Sequence, residues 1–152
     1  MIQLDARNAS SLVQRAQMIA PLLSAEAEAS ELKGELTGET LTALRSAGML
    51  SFWLPRCFGG EETSPLEALE ALEIICAADG STGWVTMATQ LCAATAAAYL
   101  APSAAKTIFA ERHAIVGGQG APNGKAVENG DGFHLSGSWT YGSGIRHADY
   151  LH

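Results

Sequence analysis

Apolar residues recur at helical spacing over the first two-thirds of the chain and at alternating spacing over the last third. Between Ser10 and Leu32, the positions Leu12, Ala16, Ile19, Leu22 and Leu23 fall on one side of a 3.6-residue repeat, which predicts a helix. Pro21 stands inside that run; it lacks an N–H and crowds the preceding turn, so it is expected to kink the helix or begin a new turn. A second helix is predicted from Gly38 to Ala47, stopped by Gly48 as a left-handed residue just past its end. The stretch MLSFWLPRCFGGEETSP then reads as a loop, apolar at first and punctuated by Pro55, Gly59 and Gly60. Ser64-Pro65-Leu66-Glu67 has the form of a helix start, with Ser as cap, Pro at the first position and Glu placed to close a capping box. That helix is predicted to reach about Ala78. Ser81 or Thr82 is expected to cap the next one, which runs to about Leu100, and Pro102 and Ser103 open a shorter one to about Arg112.

After His113 the texture changes. Gly, Asn and Asp become frequent, AIVGGQG reads as a strand, and ENGDGFHLSGSW reads as a hairpin turning at Asn129-Gly130-Asp131-Gly132. Phe133, Leu135 and Trp139 are placed on one face, with His134, Ser136 and Ser138 opposite. The closing GSWTYGSGIRHADYLH reads as the end of a strand, a Gly-Ser-Gly corner and the start of another strand. The predicted class is therefore α+β, an all-α domain over residues 1–112 followed by the start of an antiparallel β domain over 113–152.

Composition bounds this picture without naming a reaction. A chain of 152 residues, 47% hydrophobic, can bury one core and is not expected to be disordered. The net charge is −7, and residues 1–80 carry all of the excess, with five Lys/Arg against twelve Asp/Glu. No basic stripe is available to neutralise a phosphate backbone, so nucleic acid is not an expected partner. Cys57, Cys76 and Cys92 are odd in number and lack CxxC spacing, which predicts free, mostly buried thiols in a reducing compartment. The beginning MIQLDARNAS has no basic region followed by an apolar run, so a cytoplasmic location is expected. Gly83 to Leu100 contains no charge, but it is mostly Ala and Thr with few large aliphatics, and a helix buried in protein is expected there rather than a membrane span.

The candidate motifs fail in instructive ways. GGQGAPNGKA has five residues between Gly118 and Gly124 and Ala126 after Lys125, whereas a phosphate loop needs four residues and then Ser or Thr. It fails as a dinucleotide fingerprint because Asn123 stands where the third glycine belongs. A strand end with a turn, or a loop touching a ligand, both remain open for it. His113, His134, His147 and His152 show no metal-ligand spacing, and no metal is expected. No Ser/His/Asp order or Cys/His pairing marks a nucleophile.

Four segments in order carry a family resemblance: IAPLLSAEAEASE, LTALRSAGMLSFWLPRCFGG, EALEALEIICAADGSTGW and GDGFHLSGSWTYGSGIRHADYLH. Together they cover nearly the whole chain, and they resemble the opening helix, substrate-side entry, central-helix start and middle β hairpin of the acyl-CoA dehydrogenase fold. Acyl-CoA dehydrogenases carry a Thr-Glu-Pro…Gly-Ser-Asp loop where this chain has Gly118 to Lys125. DGSTGWV, the Pro122, Gly124 and Ala126 spacing, and SGSWTYGSGIRHAD are instead similar to the two-component flavin-dependent monooxygenases of the same fold. That branch includes the p-hydroxyphenylacetate hydroxylase oxygenase, the indole-acetate monooxygenases and the dibenzothiophene monooxygenases.

The resemblance implies an oxygenase that takes reduced flavin, FMN or FAD, from a separate flavin reductase and uses molecular oxygen to hydroxylate a small aromatic or heteroaromatic substrate. It implies that Ser143 lies beside the flavin ring near N5 as the catalytic candidate. Gly142 and Gly144 would let backbone approach the ring, and Trp139, Thr140 and Tyr141 would wall it. Gln119 and Gly120 would contact flavin, while Trp84, Gln90 and Asn123 would face substrate. The loop from Trp53 to Phe58 is expected to help bound that pocket. The same resemblance implies a β domain continuing past His152, a carboxy-terminal helical bundle, a homotetramer, and a catalytic base outside these residues. The sequence is thus expected to be the front part of a longer protein. Two other readings stay open: an acyl-CoA dehydrogenase-type flavoenzyme, and a non-catalytic helical binding or assembly module.

Overall fold

The computed structural model describes residues 10–110 and 114–151, and it is a mixed helical and β structure. Five helices come first: α1 (Leu12–Lys33), α2 (Gly38–Ser46), α3 (Pro65–Ala78), α4 (Gly80–Tyr99) and α5 (Pro102–Ile108). They are followed by β1 (Val116–Gly117), β2 (Lys125–Asn129), β3 (Gly132–Ser136) and β4 (Tyr150–Leu151).

Helix ends follow from local chemistry. Ser11 caps α1 in a full capping box with Gln14, and Gly34 ends it at φ 72°, where a Cβ would be strained. The helix passes through Pro21 as one continuous element, so no new helix begins there; the proline stands at an exposed position. Thr37 caps α2, and Gly48 takes φ 77° one residue beyond its Ala47 end. The expected capping box at Ser64 forms by half. Ser64 Oγ accepts from Glu67 N at 3.3 Å, but the Glu67 carboxylate turns away and accepts the Leu12 N–H, at 2.8 Å, in the first turn of α1. One acid thus serves the positive ends of two helices and ties them together. Between α3 and α4 the cap is Asp79, not Ser81 or Thr82: its Oδ2 accepts from Thr82 N at 2.7 Å. Helix α5 stops at Ile108, short of the expected Arg112; residues 111–113 lie outside those described.

The main core is built from α1, α2, α3 and the loop after α2, with Leu12, Ala16, Leu23, Leu44, Met49, Phe52 and Ile75 fully enclosed. A second cluster joins Leu54, Ala93, Ala96, Ala105, Phe109 and Val116, and so binds the far half of α4 to α5 and β1. Helices α3 and α4 come close because Gly83 faces Cys76; a Cβ there would sit 2.2 Å from Cys76 Sγ. Arg15, only 4% exposed, lies at the centre of the helical frame. Its guanidinium donates to the carbonyls of Ala47 and Ser10, both at 2.8 Å, and to the Glu61 carboxylate. Gly48 leaves the room Glu61 needs, since a Cβ would stand 2.3 Å from its Oε1.

The β part corrects the expectation of purely antiparallel pairing. β2 and β3 form the predicted antiparallel hairpin, in register Asn129↔Gly132, with Gly130 at φ 61°. β1 and β4, however, are parallel, pairing Val116 with Tyr150 and Gly117 with Leu151. Asp149 sets that pairing: its side chain accepts the Ile115 N–H at 2.8 Å while its own N–H goes to Ile115 O at 2.9 Å. The hairpin is exposed along both strands. The cysteines carry no disulfide, but Cys57 and Cys76 are exposed, contrary to the expected burial. Only Cys92 is half-buried, and burial pushes its thiol pKa up. No helix among the described residues is long and apolar enough to cross a membrane.

Asp79→Ala is expected to lower stability in urea unfolding by about 1 kcal/mol, with Asp79→Asn retaining most of it, because only the α4 cap is lost.

Candidate functional site

The segment from Trp139 to His147 crosses from the hairpin to the helical part, and its seat is dictated by Gly144. That residue adopts φ 72°, and a Cβ on it would lie 2.4 Å from Thr89 Cγ2 on α4. Both the left-handed backbone and the close approach require glycine. Gly142, by contrast, does not take a positive φ. Gly118 bridges the segment from the other side, its N–H donating to Ser143 O at 3.4 Å. Gly117 also packs closely: a Cβ there would stand 3.0 Å from Ala148 Cβ and 3.2 Å from Ser143 O. Ser143 is therefore held by backbone contacts on two sides.

Two neighbouring cavities flank this segment. The first, about 490 Å³, lies between the end of α1, the start of α4 and the segment, and is lined by Glu35, Trp84, Thr140, Ser143 and His147 among others. The second, about 440 Å³, is lined by Gly118 to Pro122, Gly124, Leu135, Trp139 and Leu151. Tyr141, Gly142 and Ile145 border both. These volumes suit a small organic ligand or part of a cofactor.

The candidate residues distribute unevenly over this space. Trp84 and Ser143 meet directly: the indole N–H donates to Ser143 Oγ at 3.1 Å. Thr140 faces the first cavity, and Gln119, Gly120 and Trp139 the second. Gln119 Oε1 is buried there without a hydrogen-bond partner, an arrangement that favours a donor from a ligand. Trp139 lies over two glycines; a Cβ on Gly124 or Gly137 would come within 2.5 or 2.6 Å of its ring. Tyr141 is 61% exposed and Trp139 41%, so both offer aromatic surface. Asn123 is exposed and absent from both linings, its N–H donating to Ala121 O at 2.9 Å. Gln90 is buried and lines neither cavity; its Oε1 accepts the Trp53 N–H at 3.5 Å. In the Trp53–Phe58 loop, Trp53 packs against Phe52 and Phe58 against Phe109, while Arg56 and Cys57 are exposed, and none of the loop lines either cavity.

His147 was legible only as a histidine without metal spacing, and the structure gives it a different part. Its Nε2 accepts the Leu36 N–H at 3.1 Å, which latches the segment to the chain just after α1. An accepting Nε2 must be unprotonated. Burial pushes the His147 pKa below the ordinary histidine value; Lys33, Arg45 and Arg146 push the same way, and Glu35 opposes them. Glu35 itself is held low, first by its bond to Lys33 at 2.8 Å. Among the described residues, no group of three or more His, Cys, Asp or Glu could hold a metal.

Comparison with known proteins gives this geometry its context. No family model matches the chain. It is 28% identical over 143 residues to a pigment production hydroxylase of Rhodococcus sp., across 93% of this chain and 37% of that protein. It is 30% identical over 139 residues to the oxygenase component of an FADH2-dependent resorcinol hydroxylase of Rhizobium sp., across 91% of this chain and 34% of that protein. Among solved structures, XiaF from Streptomyces sp., in complex with FADH2 and glycerol, superposes with a TM-score of 0.86 at 26% identity, covering 92% of this chain and 35% of that one. The chain thus spans roughly a third of the length of the relatives it matches.

Gly144→Ala is expected to destabilise the segment by about 1–2 kcal/mol from the positive φ alone, with a further loss from the contact to Thr89. A Thr89→Ser background, which lacks the offending methyl, should recover only the second part in thermal unfolding. The His147 latch has a defined pH sign. Because the folded-state pKa is lowered, the unfolded chain binds the proton first as pH falls, so stability is full above about 6.5 and declines below it. Urea midpoints measured from pH 8 down to 5 should fall more steeply for the native sequence than for His147→Asn.

Proposed function

We propose that this chain forms part of the oxygenase component of a two-component flavin-dependent monooxygenase, an oxidoreductase that hydroxylates a small aromatic or heteroaromatic compound. Residues 1–112 are a helical domain and 113–152 open a largely antiparallel β domain, in the arrangement of the acyl-CoA dehydrogenase fold. The observation that carries the reading is a set of three unsatisfied recognition features around the two cavities that flank the Trp139–His147 segment. Gln119 Oε1 is buried and unpartnered, the Ser143 hydroxyl has no acceptor for its own proton among the described residues, and Trp139 and Tyr141 leave ring surface open. A flavin ring presents donors and acceptors along one edge and an apolar remainder, which suits this combination of polar points and aromatic walls. The FADH2 named for both the resorcinol hydroxylase and XiaF favours FAD over FMN.

When bound, reduced flavin supplies the electrons with which one atom of dioxygen enters the aromatic substrate while the other leaves as water. The residues of this chain do the holding. Ser143 would offer its hydroxyl to the flavin ring, and its backbone is fixed through Gly118 and Gly144. Gln119, with the Gly118 and Gly120 backbone, addresses the polar edge. Trp139, Thr140 and Tyr141 would wall the ring and help to exclude water from it. Trp84 lines the first cavity, toward substrate. Asn123 and Gln90 have weaker claims to substrate contact because neither lines either of the two cavities beside the segment. A separate flavin reductase would deliver the cofactor, a reading supported by the description of the resorcinol hydroxylase relative as an oxygenase component.

The test uses the full natural protein, loaded anaerobically with photoreduced FAD or FMN and mixed rapidly with oxygenated buffer. A long-lived spectrum distinct from both reduced and oxidised flavin is expected, with its lifetime cut about tenfold in Ser143→Ala, the effect of one lost hydrogen bond. Immediate reoxidation of a demonstrably bound flavin would turn the assignment toward a dehydrogenase, and absence of flavin binding toward a non-catalytic helical module.

A further inference from the structure

Trp84 and Ser143 lie 59 residues apart in sequence, on a helix and on a loop, yet they make a direct side-chain bond of 3.1 Å. An indole N–H can only donate, whereas a serine hydroxyl has one proton and two acceptor lone pairs. The bond therefore occupies one lone pair of Ser143 Oγ and stops free rotation about its Cα–Cβ bond. The proton and the second lone pair are what remain for a ligand in the cavity that both residues line.

Both ends of this bond are anchored. Trp84 belongs to the first turns of α4, whose start is fixed by the Asp79 cap. Ser143 is fixed by Gly118 on one side and, through Gly144, by Thr89 on the same helix. Trp84 is nevertheless 50% exposed, so core packing does not account for a tryptophan at this place. Phenylalanine would supply the same aromatic face without the N–H.

We propose that Trp84 is a positioning residue that sets the direction of the Ser143 hydroxyl toward the flavin edge, an inference that rests on the flavin reading of Ser143. Its N–H acts through the serine, so Trp84→Phe keeps the aromatic face in the cavity while freeing the hydroxyl to turn.

Two measurements on the full natural protein test this. In the flavin-free protein labelled with 15N-tryptophan, the indole resonances of Trp53, Trp84 and Trp139 are assigned by single Phe variants. Ser143→Ala is expected to move the Trp84 indole proton upfield, the mark of a lost hydrogen bond. In the flavin-loaded protein, Trp84→Phe is expected to leave reduced-flavin affinity within about twofold. It should shorten the transient oxygenated spectrum about as much as Ser143→Ala, roughly tenfold. The double variant should shorten it no further, because the two side chains act as one unit. An unmoved Trp84 resonance, or a native lifetime in Trp84→Phe beside a shortened one in Ser143→Ala, overturns the proposal while leaving the flavin assignment of Ser143 standing. A native lifetime in Ser143→Ala with flavin bound overturns both, and the resonance data then show separately whether the hydrogen bond exists.

Discussion

The seat of Gly144 on Thr89 is the contact on which the candidate site depends. It is a backbone-to-side-chain approach that no other residue permits, since a Cβ would lie 2.4 Å from the threonine methyl at a φ of 72°. From that contact follow the position of Ser143, its reach to Trp84, the path of Trp139–Tyr141 along the hairpin and the entry of His147 toward Leu36. Packing of this kind is two-valued rather than gradual: the segment is either seated or displaced, because interiors are too dense to deform smoothly.

What the segment sits on must itself be rigid, and the helical frame achieves this with few polar groups used more than once. Glu67 begins α3 through its backbone and steadies the start of α1 through its carboxylate. Asp79 closes α3 and opens α4. Arg15 joins the end of α2, the chain before α1 and the loop after α2 with three directions of one guanidinium. A buried charge is costly unless its donors are matched, so the cluster is intolerant of losing one partner, and its value lies as much in fixing one arrangement as in net stability. The result is an α4 whose first turns hold both a cap and the site tryptophan.

The other side of the segment is of a different nature. Phe133, Leu135, Tyr150 and Leu151 are 40–71% exposed, and the second cavity opens among this apolar surface. A protein surface with this density of large apolar side chains is a surface for contact. A ligand or further protein can cover part of it, and the unpartnered Gln119 Oε1 is a polar point within it.

The sequence by itself determined the helices and the hairpin, because those depend on residues within one or two turns of each other. Ser64-Pro65, Gly48 beyond α2 and the Asn129–Gly132 turn act through local backbone preferences, and each is found where its spacing placed it. The family resemblance singled out Ser143, Trp139 and Gln119, but spacing contained nothing about their surroundings. Where a local rule left a choice, tertiary structure made it. Asp79 took the cap because its carboxylate reaches the Thr82 N–H, and Glu67 left its own helix because the first turn of α1 lay nearby with an unpaired N–H. The parallel β1–β4 pair, the turning of Gln90 onto Trp53, the latch from His147 to Leu36 and the bond from Trp84 to Ser143 join residues 34 to 111 positions apart. Such contacts have no periodic signature, since they are set by how whole elements pack, and only the folded chain could disclose them.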